Sequence, residues 1–135
     1  AFVIEQALHR AGLKKNEINA IKVHGTASLS NDEAEAAGMR RVFSILPPLT
    51  ALKPYIGHTL GACGLNELLL FCAAAREGFL IGTPGIGIGD QQLDVTLNQN
   101  PCELQPGHYM LNYFGFGGNN TSLIISNLPP GKKAA

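Results

Sequence analysis

The amino-acid sequence predicts an α/β fold, and two observations carry that prediction. Apolar residues alternate along the chain between helical spacing and short extended runs. The resulting order is helix, strand, helix, strand, helix and then strands, the pattern of a layered α/β domain. A length of 135 residues suits one domain, read as residues 1–128 with 129–135 as a frayed tail.

Each element has a local reason. Phe2, Ile4, Ala7, Leu8 and Ala11 recur at helical spacing, and Gly12 supplies a stop. Ile18 to Val23 is a short run ending on His24 and reads as a strand. Asn31-Asp32 resembles a helix N-cap, with Glu33 and Glu35 near the positive end of the dipole. That helix is expected to run to about Phe43, before Pro47-Pro48 breaks the chain. Leu49 to Leu52 reads as a second strand, and Leu60 to Glu77 as a helix closed by Gly78. Ile81 to Gly89 holds four glycines and one proline, so it reads as a loop. Leu93 to Leu97 alternates like a weak strand, and His108 to Tyr113 and Thr121 to Ser126 read as a hairpin around the loop 115–120.

The bulk numbers exclude several function classes. Ten acidic residues balance ten basic ones, which favours neither nucleic acid nor an anionic membrane. The longest apolar stretch, near Leu65 to Ile81, is interrupted by Asn66, Glu67, Arg76 and Glu77 and does not read as a membrane span. The chain opens in mid-helix without a basic leader. Cys63, Cys72 and Cys102 are odd in number and lack CxxC spacing, which argues against a disulfide framework or a structural zinc site. Reduced thiols and a cytoplasmic location are expected. Gly85-Ile86-Gly87-Ile88-Gly89 has the wrong spacing for a dinucleotide fingerprint, and no Walker A pattern is present.

Three stretches place histidines or aromatics where the backbone is forced to turn. They are His24-Gly25-Thr26-Ala27-Ser28, then Lys53 through Gly57-His58 to Gly64, then Asn112-Tyr113-Phe114-Gly115-Phe116-Gly117-Gly118-Asn119-Asn120. His24 ends a strand beside Gly25, and His58 follows Gly57 just before a helix. Both sit at element ends, where functional side chains are commonly displayed.

Taken together, these stretches resemble the active-site half of the β-ketoacyl-acyl carrier protein synthases, the condensing enzymes of fatty acid and polyketide synthesis. The family pattern His-Gly-Thr-Gly/Ala-Thr-x-x-Asn-Asp-x-x-Glu is matched by His24, Gly25, Thr26, Ala27, Asn31, Asp32 and Glu35, with Ser28 in place of the second Thr. Lys53, Gly57, His58, Gly61, Ala62, Gly64 and Glu67 match the second pattern, with Cys63 in place of Ala. Asn112, Phe114, Gly115, Phe116, Gly117, Gly118 and Asn120 match the third, with Tyr113 for Ser and Asn119 for Thr. The three occur in family order and cover nearly the whole chain.

The resemblance implies a thiolase-like half-fold: a mixed β-sheet with helices packed on its faces. It implies decarboxylative Claisen condensation, with His24, His58 and Lys53 as catalytic residues. The two imidazoles would stabilise charge on the malonyl thioester oxygen, as neutral donors kept so by burial and the nearby lysine. Lys53 would hold His58 and its surroundings, with Glu67 as its supporting counter-charge. Thr26 and Ser28 would hydrogen-bond the phosphopantetheine arm. Phe116 would gate the acyl chain, and Gly115, Gly117 and Gly118 would free the backbone for that swing, so Phe116 and Gly117 are counted with the substrate-binding residues. Phe114 is expected in ordinary core packing and Cys63 as a small buried hydrophobe. The implied partners are acyl carrier protein, the N-terminal half of the same enzyme and a second copy in a homodimer. No segment of the chain resembles the surroundings of the family's nucleophilic cysteine. No metal or cofactor is expected to be held by the chain, the phosphopantetheine arm entering with the substrate.

Two other function classes fit the sequence less well. A non-catalytic partner resembling a chain-length factor would keep the fold, but such relatives usually lose histidines or the cysteine, and His24 and His58 are both present. A metal-dependent hydrolase would need spaced ligands of the HExxH kind, which the sequence lacks.

Overall fold

The structure is a computed structural model of the chain and describes residues 1–86 and 93–128. Helix α1 (Phe2–Ala11) leads to strand β1 (Ile18–Lys22), helix α2 (Leu29–Val42) and strand β2 (Leu49–Thr50). A short helix α3 (Lys53–Ile56) and helix α4 (Cys63–Arg76) follow. Strands β3 (Phe79–Leu80) and β4 (Cys102–Glu103) form a small antiparallel pair, and β5 (His108–Phe114) and β6 (Asn120–Ser126) complete the element order.

The main sheet has the order β2-β1-β5-β6. β1 pairs in parallel with both β2 and β5, while β5 and β6 are antiparallel in an unbroken register from His108–Ser126 to Phe114–Asn120. The mixed sheet expected from the resemblance is therefore present. Residues alternate between its faces. Ile21 and Val23 of the β1 segment and Met110 of β5 pack with Ile4 and Leu8 of α1 and with Met39 and Val42 of α2. Ala20, Tyr109 and Leu111 pack on the opposite face with Phe71 and Ala75 of α4. A strand covered on both faces must bury whatever it carries. Lys22, with the parity of Ala20, is fully buried on the α4 side.

Most elements follow the sequence reading. Gly12 ends α1 in the left-handed conformation at φ 67°, with its N–H on the last carbonyls of the helix. The hairpin of β5 and β6 has the expected position. Four boundaries differ. α2 starts at Leu29 with Ser28 at the N-cap rather than at Asn31-Asp32; the Asp32 carboxylate instead accepts the Thr26 N–H at 3.2 Å. The strand expected over 49–52 stops at Thr50, and α3 begins at Lys53 with Pro54 in its first turn, a position that suits proline. The helix expected from Leu60 begins as a 3-10 turn over Leu60–Ala62, because Leu60 has φ 47°, and becomes α-helical at Cys63. Leu93 to Leu97 is not a strand: Asp94 has φ 49°, outside extended geometry, and only a single bridge from Leu97 to Leu49 forms. Within the expected loop, residues 87–89 lie outside the described residues, as does the expected tail 129–135.

Candidate active site

His24 lies two residues beyond Lys22 and leaves β1 on the same side of the sheet. It is 5% exposed. Its backbone N–H donates to Glu35 Oε1 at 2.9 Å, and the N–H of Gly25 donates to Glu35 Oε2 at 3.0 Å. One carboxylate from α2 thus clamps the turn that presents the ring. Gly25 is in the left-handed region at φ 51°, and a Cβ there would meet Val23 Cγ2 at 3.0 Å and Ala51 Cβ at 3.2 Å. Both the torsion and the space call for glycine.

The second histidine comes from the turn between α3 and α4. The His24 and His58 rings stand edge to face, 5.5 Å between centroids and 87° between planes. His58 Nδ1 accepts the Leu60 N–H at 3.2 Å. The Lys53 ammonium donates to the His24 carbonyl oxygen and lies 3.4 Å from His24 Nδ1. An ammonium and an amide N–H can only donate, so both Nδ1 atoms act as acceptors and each neutral ring carries its proton on Nε2. Both rings line a cavity of about 990 Å³, shared with Thr26, Ser28, Phe114 and Phe116.

Burial pushes the pKa of His24 down to about 4, and the Lys53 and Lys22 ammoniums push in the same direction. His24 is therefore neutral across the physiological range. Burial raises the Cys63 thiol above its ordinary range despite the pull of Lys53. Although Cys63 reaches the cavity wall, it is 96% covered and held as a thiol, which fits the small packing residue expected.

The geometry corrects two expected contacts. Lys53 reaches His24 rather than His58, because α3 lays its ammonium under the end of β1. Phe114 is not ordinary core: it is half-buried, lines the cavity and approaches His24 at 5.8 Å between ring centroids. Glu67 meets Lys53 at 2.8 Å as expected, but its other oxygen pairs with Lys22. Thr26 and Ser28 stand side by side on the cavity wall with hydroxyls 3.0 Å apart. Phe116 is 94% exposed. Gly117 lies in the same turn at φ 73°; its neighbours Phe116 and Gly118 line the cavity.

The sequence profile described as "Beta-ketoacyl synthase, C-terminal domain" matches residues 1–86, including both histidines and Lys53. The chain belongs to the β-ketoacyl synthase family. This β-ketoacyl synthase domain is similar to 3-oxoacyl-[acyl-carrier-protein] synthase II, chloroplastic, of Arabidopsis thaliana, at 34% identity over 91% of the chain and 24% of the relative. It is 33% identical to 3-oxoacyl-[acyl-carrier-protein] synthase 1 of Escherichia coli strain K12, over 82% of the chain and 28% of that protein. Among solved structures, a ketosynthase in complex with its chain length factor from Xenorhabdus doucetiae superposes with TM-score 0.84 at 35% identity, covering 93% of the chain and 32% of that protein. The domain thus spans about a quarter to a third of the length of these relatives, and the thiolase-like half-fold expected from its sequence is the fold of those ketosynthases.

Three functional-site residues escaped the sequence reading. Glu35 fits the family pattern, but its clamping of the His24 turn is visible only in the structure. Asn112 is fully buried and donates to Glu35 Oε1 at 3.2 Å while accepting from Ser122 at 2.8 Å, joining α2 to the hairpin. Lys22 was not singled out. Its signal was present: a lysine inside a strand, two residues before His24, shares a face with that histidine.

Proposed function

We propose that this domain supplies the oxyanion-stabilising half of a β-ketoacyl-acyl carrier protein synthase. One observation carries the reading: two imidazoles 5.5 Å apart, both with Nδ1 engaged, leave two Nε2–H donors at the wall of one cavity. The reaction is decarboxylative condensation. An acyl group rests on a cysteine as a thioester, the malonyl thioester loses carbon dioxide, and the resulting enolate carbon attacks the acyl carbonyl. The new carbon–carbon bond forms as the cysteine leaves. Negative charge gathers on the malonyl thioester oxygen, where two fixed N–H donors lower the barrier most.

The other roles follow from position. Lys53 keeps the His24 ring neutral and turned. Thr26 and Ser28 accept and donate along the phosphopantetheine arm of an acyl carrier protein, the substrate carrier that the names of the curated relatives contain. Phe116 gates the acyl chain, and Gly117 lends its turn the freedom to move. Cys63 is too well buried and too weakly acidic to be the nucleophile, and Cys72 and Cys102 do not line the cavity; the proposal takes the thiolate from an N-terminal half of the same enzyme. A cytoplasmic, thiol-reducing setting, a homodimeric whole enzyme and work on fatty acid or polyketide chains complete the proposal. Among the described residues no helix is long and apolar enough to cross a membrane, and no group of three or more His, Cys, Asp or Glu is placed to hold a metal.

A second reading, a non-catalytic partner resembling a chain-length factor, draws on a ketosynthase/chain length factor structure that superposes at TM-score 0.88 and 29% identity. The two histidines favour the catalytic role. The test is malonyl decarboxylation by the domain joined to its N-terminal half. His24→Ala and His58→Ala are each expected to lower the rate at least about a hundredfold, the usual loss for one oxyanion donor, and Cys63→Ala to change it little. Unchanged decarboxylation in both histidine variants overturns the catalytic reading.

A further inference from the structure

The most unusual group in the molecule is one that condensation does not call for. Lys22 is a fully buried lysine in the middle of the sheet. Its ammonium donates to Glu67 and, at 2.8 Å, to the carbonyl of Asn112. It also sits 3.8 Å from the centroid of the Tyr113 ring, within cation–π range. The Tyr113 hydroxyl has no hydrogen-bond partner among the described residues, so the stacking on Lys22 is the polar contact this ring does make. Strands β1 and β5 and helix α4 meet at this one nitrogen.

The consequence for the site is a matter of charge count. Glu67 gives one oxygen to Lys22 and the other to Lys53. Lys53 faces His24 and repels a proton there, but Glu67 alone beside it would offset part of that effect. With Lys22 the buried cluster has two ammoniums on one carboxylate. That trio is net positive, with Glu35 on α2 the next negative charge, and its near end lies 3.4 Å from His24 Nδ1. Removing Lys22 would also leave Glu67 free to pull on Lys53 alone.

We infer that Lys22 is a positioning residue that acts through Glu67: it holds that carboxylate across to Lys53 and supplies a second positive charge that adds to burial and Lys53 in keeping His24 a neutral Nε2–H donor. This rests on the proposed role of His24 as an oxyanion donor. The titratable groups around Lys22 are Glu67 and Cys63 on α4, Lys53 on α3, Glu35 on α2, Tyr113 on β5, and His24 and His58 beyond its own strand. Burial brings Lys22 down to about 8, against the pull of Glu67, so the second charge is itself lost in mildly alkaline solution.

The test reads protons and needs no turnover, so its failure is distinct from failure of the condensation reading. Imidazole nitrogen NMR on the 135-residue chain reports the tautomer and titration of His24. In the unmodified chain, His24 is expected as the Nε2–H tautomer, with a second small inflection of its signals near pH 8 as Lys22 loses its proton. Lys22→Met is expected to raise the proton affinity of His24 about tenfold or more, whereas Glu67→Gln, which unmasks both ammoniums, is expected to lower it. Opposite signs distinguish charge-setting from a merely structural contact, which would move both variants the same way. If Lys22→Met does not fold, the inflection in the unmodified chain still decides. A His24 signal blind to the Lys22 titration, or equal shifts in the two variants, overturns the inference.

Discussion

His24 and His58 are turned to the same tautomer by different means. His24 is held by burial and an ammonium, His58 by a backbone N–H on an open turn. The difference has a consequence in acid. An unfolded histidine titrates near 6.5, and His24 in the folded chain near 4. Below about pH 6.5 the unfolded chain binds more protons than the folded one, so the contribution of His24 to stability is complete above that pH and is lost as pH falls toward 4. Urea unfolding of the chain is expected to show a steeper loss of stability over this window than the same measurement on His24→Asn. Equal slopes would mean that His24 is solvated in the folded state. Both histidines were legible in the sequence because glycines beside them mark turns at element ends. Strand parity sets Lys22 on the face of His24, but an apolar period does not reveal its partners, which lie 45 and 90 residues away.

At the scale of the element, the site is a junction held by α2. Glu35 receives the backbone N–H groups of His24 and Gly25 and the side-chain amide of Asn112. Glu35→Ala would strand three buried or half-buried donors, and each unmet buried donor costs about 1–3 kcal/mol. A loss of about 3 kcal/mol or more in chemical denaturation is expected, with Glu35→Gln losing less because it can still accept from one donor. A drop under about 1 kcal/mol would show that water fills the gap. The hairpin of β5 and β6 was readable from two alternating runs around a glycine loop. The strand expected at 93–97 failed because alternation does not reveal that Asp94 takes φ 49°. α3 was missed although Pro54 supplied a start signal, since a four-residue helix falls below the length at which periodicity shows. The early start of α2 followed from the same kind of gap: Asp32, read as a cap, has its carboxylate engaged by Thr26 instead.

Across the whole molecule, apolar residues remain uncovered, Leu60 and Phe116 at the cavity and Leu65 and Leu69 on α4. Leu60, Leu65, Leu69 and Phe116 are 73%, 61%, 59% and 94% exposed. Leu65 and Leu69 lie one turn apart on α4, whose opposite side carries Phe71 and Ala75 into the core. A helix apolar on both sides is built to be covered on both. Alone, the chain is expected to self-associate or to bind a hydrophobic dye, and mixing with the proposed N-terminal half should suppress both before any condensation is seen. Analytical ultracentrifugation and dye fluorescence check this; a monomer that binds no dye would mean that the domain is self-contained. Condensation by the 135 residues alone would place the nucleophile within them.

The strand order β2-β1-β5-β6 carries one more consequence, for the ribosome rather than the reaction. β1 is flanked by β2 and by β5, and β5 is made long after β1: Lys22 and its carbonyl partner at Asn112 are 90 residues apart. At a synthesis rate of about 5–20 residues per second, that separation is roughly 5–18 s. Through that interval β1 has α1 and β2 for company but one edge without a ladder, and Lys22 has no carbonyl to meet. Unpaired edges invite pairing with other nascent chains. A lysine that ends fully buried spends those seconds as a gatekeeper beside an unpaired edge.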